Sequence, residues 1–380
     1  MKKITFVYPQ MVMGGAEKVL IRLIEKIDRE KYIVNVVLMK HGGELEHSFP
    51  NDVETSYSTS LSPFLNLKQG HIGKTLLGIY FRIKIRTSKS YEKKSYYSYL
   101  AQEWHGDISK DCAICFSHYN FLSICSVAFS EAKTKILWVH LSFRENLDKK
   151  MYIKVLNRFD YVFCVSKAVK DEFDRIFPMY SEKSQVVYNL IDKEMIINLS
   201  NKTVNETFKP ISLLTIARLS KEKGQIMIPR IVRRLLDNDY CVYWYLIGDG
   251  KIKQEIYNEI LINHVENNVI LLGTKKNPFP YLKQCDIYVQ PTYMEGFCTT
   301  TNEARVLCKP VVTTDIPPMR EQFVNGINGI LTDCNEEDIY TGIKKLLDCP
   351  DLLKQFSEKL SEIQFDNNVE LQKLYSSIDK

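Results

Sequence analysis

Long apolar runs are missing from this chain. The stretch that opens it, Ile4 to Tyr8, is five residues and stops at Pro9. That is too short for a signal peptide's apolar segment or for a membrane span, which needs about 18 residues or more. No later stretch reaches that length, so a soluble chain of the cytoplasm is expected. Paired metal-ligand motifs are also lacking. The ten cysteines run from Cys112 to Cys349, mostly inside apolar runs such as YVFCVS. Cys112 and Cys115 form a C-x-x-C, but strand alternation sends them to opposite faces, and no second Cys/His pair follows at zinc spacing. Buried thiols are the simpler reading. A G-x-G-x-x-G fingerprint is absent, which removes the usual dinucleotide signal. The D-x-D at Asp237-Asn238-Asp239 precedes a strand and reads as a helix-to-strand turn, so no metal site is expected. Sequons at Asn198, Asn201 and Asn205 fall in one polar stretch and read as linker.

What is present is globular: 380 residues, 45% apolar and 26% charged, enough for two domains with real cores. The net charge of +5 is uneven. Residues 1–195 carry 29 Lys/Arg against 22 Asp/Glu, and residues 196–380 carry 22 against 24. The excess concentrates in residues 68–94, which hold eight basic residues and the single acid Glu92. Written as one helix, this segment places Leu76, Ile79, Tyr80 and Ile83 on one side. Arg82, Arg86, Lys89 and Lys93 fall at i, i+4, i+7 and i+11 on another. A basic amphipathic segment suits an anionic membrane surface. It comes with no known nucleic-acid motif, so nucleic acid is not an expected partner.

Strand and helix signals alternate along both halves. Strands are predicted at Ile4–Tyr8, Ile33–Leu38, Ala113–Phe116, Ile136–His140, Tyr161–Val165 and Gln185–Tyr188. Residues 42–70 are less regular, and 196–210 read as a linker. The rhythm restarts at Ile211–Ala217 and continues through Val242–Ile247, Val269–Leu272, Ile287–Val289, Val311–Thr313 and Gly329–Leu331, with a last helix near 366–378. This predicts an α/β chain of two Rossmann-like domains facing across a cleft. They would be residues 1–195 and 211–362, with 363–380 as a C-terminal helix able to pack back on the first domain. Ligands of open α/β sheets bind beyond the carboxyl ends of the strands, so the post-strand loops are where chemistry is expected.

Four such loops are unusual. Gly14-Gly15 opens the first helix, where free N–H groups favour anions. Arg218 and Lys223, in ARLSKEKG, bracket a turn and suit a diphosphate. Gly248, in IGDG, and Gly273-Thr274 follow two further strands. Glu295 and Glu303, in EGFCTTTNE, are two carboxylates eight apart across a loop and a helix start. Thr299 or Thr300 between them is expected to cap that helix and leave N–H groups for phosphate.

Taken in order, GGAE, ARLSKEKG, GDG, GTKKNP and EGFCTTTNE resemble the retaining glycosyltransferases of family 4 (glycosyl transferases group 1), which have the GT-B fold. The resemblance covers nearly the whole chain. It implies that Arg218 and Lys223 hold the donor diphosphate and that Glu303 takes the ribose hydroxyls. Glu295 would face the donor sugar, with Gly296, Phe297, Cys298 and Thr299 offering backbone N–H groups. Gly15, Gly248, Gly273 and Thr274 would complete the donor site, and His140 would stand beside the sugar. Cys298 replaces the small residue usual after the Phe of E-G-F, which leaves the fit of the sugar open.

The reaction so implied is transfer of a hexose-type sugar from a nucleotide diphosphate sugar, uridine diphosphate by default. The acceptor would be a saccharide or lipid-linked saccharide in surface polysaccharide synthesis, with no metal or other cofactor. Other readings are a non-catalytic activator or binding subunit on the same fold, and a nucleotide-sugar epimerase. A phosphorylase would need pyridoxal phosphate and a suitable lysine, for which the sequence has no signal.

Overall fold

The computed structural model describes residues 1–61, 72–100, 103–105 and 107–379. The chain divides into two compact units, Met1–Leu190 with Asn367–Lys380, and Ile191–Asp366.

In chain order the first unit has β1 (Lys2–Tyr8), α1 (Gly15–Lys26), β2 (Tyr32–Leu38), β3 (Glu54–Tyr57), β4 (Thr59–Leu61), α2 (Ile72–Thr87), α3 (Tyr91–Leu100) and β5 (Glu103–His105). It continues with β6 (Cys112–Cys115), α4 (Phe121–Ala128), β7 (Thr134–Val139), α5 (Lys149–Leu156), β8 (Tyr161–Cys164), α6 (Lys167–Ile176) and β9 (Ser184–Val186). Seven strands make a parallel sheet in the order β3-β2-β1-β6-β7-β8-β9. Its central strands read as unbroken apolar runs because helices cover both faces; Cys112 to Cys115 are all buried. Burial pushes the Cys115 thiol up to about 12 and raises Cys112 as well. β4 and β5 pair antiparallel in a separate ribbon.

The second unit has α7 (Lys193–Ser200), β10 (Ser212–Ile216), α8 (Ile228–Asp237), β11 (Tyr243–Ile247), α9 (Lys253–Ile262), β12 (Val269–Gly273), α10 (Phe279–Gln284) and β13 (Ile287–Gln290). Then come α11 (Thr299–Val306), β14 (Val311–Thr314), α12 (Pro317–Arg320), β15 (Ile330–Thr332), α13 (Glu336–Asp348) and α14 (Pro350–Ser361). Its parallel sheet runs β12-β11-β10-β13-β14-β15. After Asp366 the chain returns to the first unit as α15 (Asn368–Ile378). There Tyr375 stacks on Tyr32 with ring centroids 5.0 Å apart.

Two expectations need correction. Residues 196–210 are not a bare linker, because α7 runs to Ser200. Asp192 caps it, its side chain accepting from the Met195 N–H at 2.9 Å. Ile196 is fully buried against Phe279 and Val306. The polar composition hid an apolar set (Met195, Ile196, Leu199) at helical spacing.

The basic segment is not one helix either. α2 ends at Thr87, where Ser88 Oγ donates to the Lys84 carbonyl at 2.6 Å, and Ser90 Oγ accepts from the Lys93 N–H at 3.1 Å to start α3. Serines that take the last carbonyls and cap the next turn divide a helix. Lys93 thus sits on α3 and pairs with Asp148 at 3.4 Å, apart from Arg82 and Arg86 on α2 and from Lys89 in the turn. Leu76's side chain and residues 68–71 lie outside the described residues. Ile79, Tyr80 and Ile83 are exposed, Ile83 at 57%. Among the described residues no helix is long and apolar enough to cross a membrane.

Candidate active site

The strand order of the second unit changes direction between β10 and β13: the chain goes outward through β11 and β12, then returns to β13 and proceeds through β14 and β15. Loops at such a switch diverge and leave a crevice at the carboxyl ends. The loop after β10 carries Arg218 and Lys223; the loop after β13 carries Glu295. The fold therefore brings together residues 72 positions apart in sequence.

They meet directly. Lys223 Nζ lies 2.6 Å from Glu295 Oε1, with only 15% and 9% of the two side chains exposed. Gln290, at the end of β13, donates from Nε2 to the same oxygen at 3.4 Å. Its own Oε1 accepts from the buried Tyr288 hydroxyl at 2.8 Å. The loops are also joined through their backbones, since the Tyr293 N–H donates to the Glu222 carbonyl at 2.9 Å. Gly224 makes this approach possible. Its φ is +69°, and a Cβ there would stand 1.8 Å from the Pro291 carbonyl oxygen. Arg218 is exposed, and among the described residues its guanidinium makes no hydrogen bond or ion pair.

Downstream of Glu295 the loop runs into α11, and the capping expectation fails. The residue before the helix is Cys298, at φ +52° and ψ 84°, and no side chain caps the first turn. Thr299 and Thr300 are the first two helical residues. Thr301 instead reaches Gln322, its Oγ1 donating to Gln322 Oε1 at 2.7 Å, while Gln322 Nε2 donates to the Phe297 carbonyl. Gln322 thereby holds the Gly296-Phe297-Cys298 backbone against the helix. The N–H groups of the first turn have no side-chain acceptor, as an anion-binding helix start requires. Cys298 is buried, which pushes its thiol up to about 12, with the nearby Glu295 charge acting in the same direction. Glu303, one turn further on, is buried at 5% exposure.

Gly248 serves the loop framework. Its φ is +144°, and a Cβ would meet the Ala217 carbonyl oxygen at 2.0 Å. The Leu219 N–H donates to the Asp249 carbonyl at 3.0 Å, locking these two loops together. Gly273, at φ +66°, has open space around its Cβ position, and Thr274 is exposed. The neighbouring Lys275 is paired with Glu206, which also accepts from the Tyr281 hydroxyl at 2.7 Å.

Gly15 and His140 belong to the first unit, beyond the carboxyl ends of β1 and β7. Gly15 is exposed at the start of α1. The adjoining Glu17 is buried, folds back to within 2.3 Å of where a Gly14 Cβ would be, and accepts from the Tyr8 hydroxyl at 3.0 Å. A carboxylate thus stands beside this helix start, although here, as at α11, no side chain caps the first turn. The His140 ring packs on Phe116, and its Nε2 is buried without a partner among the described residues. Burial holds its pKa down to about 3, so the ring is neutral. Its backbone N–H donates to His118 Nδ1 at 3.2 Å. The His118 proton therefore sits on Nε2, an assignment made from the bonding pattern.

A family model for glycosyl transferases group 1 matches residues 199–362, the span that holds both loops and α11. Residues 199–362 thus resemble the group 1 glycosyltransferases, over somewhat less than half of the chain. Among similar proteins, an uncharacterized glycosyltransferase of Methanocaldococcus jannaschii is 29% identical over 47% of this chain. The N-acetylgalactosamine-N,N'-diacetylbacillosaminyl-diphospho-undecaprenol 4-alpha-N-acetylgalactosaminyltransferase of Campylobacter jejuni is 26% identical over 59% of it. These alignments span 48% and 60% of the relatives' own lengths. Anabaena HepE in complex with UDP matches across 100% of both chains at 19% identity and TM-score 0.71, and S. aureus TarM across 100% of this chain at 14% identity and TM-score 0.74. The chain thus has the GT-B fold of two Rossmann-like domains.

Gly224, Gln290 and Gln322 were not singled out by sequence reasoning. Gly224 had a signal, as the glycine closing ARLSKEKG. Gln290 and Gln322 had none, since a strand-end Gln and a Gln 27 residues beyond Glu295 look alike in any chain.

Proposed function

We propose that this chain transfers a hexose-type sugar from a nucleotide diphosphate sugar, UDP-linked by default, with retention of anomeric configuration and without a metal. The acceptor is a saccharide or lipid-linked saccharide in surface polysaccharide synthesis. The observation that carries the reading is the buried Lys223–Glu295 pair at the β10/β13 switch, beside the uncapped start of α11. A diphosphate fits between Arg218, Lys223 and the α11 N–H groups, with ribose hydroxyls on Glu303 and the sugar at Glu295. As the anomeric C–O bond breaks, negative charge grows on the leaving phosphate. Arg218 and Lys223 then stabilise the transition state more than the ground state. Glu295 positions the sugar and the lysine rather than attacking.

The names of relatives support the acceptor class. Besides the Campylobacter enzyme they include a capsular polysaccharide biosynthesis glycosyltransferase of Staphylococcus aureus, 24% identical over 52% of this chain. The exposed Ile79, Tyr80 and Ile83 beside Arg82, Arg86 and Lys89 support peripheral contact with an anionic membrane face.

The test is a panel of nucleotide sugars screened by thermal shift, followed by transfer assays and NMR of the product's anomeric configuration. Release of nucleotide diphosphate with an α-linked product from an α-linked donor is expected, and Glu295→Ala should abolish it. An inverted product would overturn the retaining reading. A changed nucleotide sugar formed without acceptor would indicate an epimerase, and inactivity with every donor a binding subunit.

A further inference from the structure

Gln225 follows Gly224, where the chain leaves the loop that carries Arg218 and Lys223 and passes through a short 3-10 turn (Gln225–Met227) into α8. It is a polar side chain with no exposure to solvent. Its Nε2 donates to the Arg218 carbonyl at 2.9 Å. Its Oε1 is buried and accepts no hydrogen bond among the described residues. The amide orientation is assigned from this bonding pattern, because the opposite one would turn Oε1 against the carbonyl oxygen of Arg218.

Such an arrangement does not favour stability. A buried polar atom without a partner loses its hydration and gains nothing in return. A methionine fills a similar volume without that loss. What the amide adds is the bond it makes, and that bond falls on a residue of the proposed donor site.

The bond spans seven positions and closes the loop into a ring that contains both cations. The two are held differently. Lys223 Nζ is fixed from outside the ring, 2.6 Å from Glu295 Oε1 and 3.4 Å from the Met294 carbonyl. The Arg218 side chain is exposed, and its guanidinium makes no hydrogen bond or ion pair among the described residues. Its placement therefore depends on its backbone.

That backbone is clamped at one peptide. The Arg218 carbonyl and the Leu219 N–H belong to the same planar unit and point in opposite directions. Gln225 takes the carbonyl, and the Asp249 carbonyl takes the N–H at 3.0 Å. Ser220 Oγ also faces the Arg218 carbonyl, but from 3.5 Å, at the long limit of a hydrogen bond. Anchors on both edges of a rigid plane stop it from rotating, and the Arg218 Cα lies in that plane. The root of the long side chain is thus fixed before any ligand arrives, which lowers the ordering cost of binding.

We infer that Gln225 is a positioning residue, which fixes the Arg218–Leu219 peptide and so aims the guanidinium at the diphosphate of a nucleotide donor. The inference rests on the reading of Arg218 as a donor ligand.

UDP, GDP and ADP are titrated calorimetrically into the full chain, and the tightest binder is used throughout. Gln225→Met should weaken it roughly tenfold, as loss of a hydrogen bond to a charged group does. The same variant should melt within about 3 °C of wild type, because it loses one bond and also removes the stranded acceptor. Gln225→Asn, whose amide stops one methylene short of the carbonyl, should weaken the nucleotide alike and serves if the methionine variant fails to fold. Arg218→Ala should weaken the nucleotide by itself, and adding Gln225→Met to it should change the affinity by less than about twofold. A residue that merely supports the fold would weaken binding equally in both backgrounds. Hydrogen exchange gives a readout that needs no nucleotide. The Leu219 amide should exchange faster in Gln225→Met, while the amides of β10 and α8 keep their wild-type rates.

Equal affinity in wild type and Gln225→Met, an equal loss in both backgrounds, unchanged exchange at Leu219, or a steep fall in melting temperature in both variants would overturn the inference. Arg218-dependent binding that ignores Gln225 would do so while leaving the proposed function standing. A wild-type chain that binds none of the three nucleotides would remove that function, and the role of Gln225 with it.

Discussion

Lys223 and Glu295 illustrate what a single residue does here. Each is nearly buried, and each makes the other tolerable. Removing one partner of such a pair leaves an uncompensated charge, which costs about 3–5 kcal/mol where burial is complete. Lys223→Met should therefore lower both thermal stability and kcat, the latter by roughly 10²–10³ as for other preorganised electrostatic groups; unchanged turnover would remove Lys223 from the mechanism. Gly224→Ala should destabilise by at least about 1 kcal/mol, because its backbone is left-handed and its Cβ would overlap Pro291. A wild-type melting temperature would contradict this.

Cys298 bears on reactivity. Its burial and raised pKa predict that native alkylation at pH 8 labels the exposed Cys241 and Cys349 well before Cys298. Peptide mass spectrometry reads the order directly. His140 bears on pH. Its folded pKa of about 3 lies below the usual 6.5, so between those values the unfolded chain holds a proton that the folded chain does not. Its contribution is complete above pH 6.5 and is lost as pH falls toward 3. His118 is lowered by burial in the same direction. Denaturant midpoints should fall from pH 7.5 to 5.5, and less steeply in His140→Gln. Equal slopes would show that other groups carry the effect.

At the scale of elements, α11 shows how a helix start is made receptive. A Ser, Thr, Asp or Asn before the first turn would occupy its N–H groups. Cys298 stands there instead, with the threonines one step late. That Thr299 follows a loop was legible in the sequence, but which residue becomes the cap depended on the left-handed turn at Cys298. α2 and α3 make the same point. The basic spacing was plain, yet it assumed a continuous helix that Ser88 and Ser90 interrupt. The membrane prediction narrows accordingly. Arg82, Arg86 and Lys89 changed together to Gln should weaken binding to anionic vesicles by about 3 kcal/mol at low salt, at about 1 kcal/mol per charge. Lys93, paired with Asp148, should contribute less. Flotation that does not distinguish the triple variant from wild type would sink the idea.

At the scale of the whole molecule, the last helix returns to the first unit. Lys2 Nζ donates to the Ile378 carbonyl at 2.9 Å, and the Tyr32 hydroxyl to Asp379 Oδ2 at 2.7 Å. Glu370 accepts from the Tyr188 N–H at 2.9 Å, and Leu374 and Ile378 are buried. A chain cut after Asp366 should lose several kcal/mol from the first unit, at about 1.5–3 kcal/mol per buried aliphatic side chain. Calorimetry should show its melting temperature fall, and an unchanged thermogram would refute the role.

The sequence by itself determined the alternation of strands and helices, because apolar period and glycine breaks are local properties. It also determined the order of the motif loops, and hence the family resemblance. Tertiary structure alone decided that Lys223 meets Glu295, that Gln290 and Gln322 brace them, and that Gln225 and Asp249 clamp the peptide after Arg218. These depend on which strands become neighbours and on where a backbone without a side chain can pass. Contacts between residues tens of positions apart leave no periodic trace along the chain.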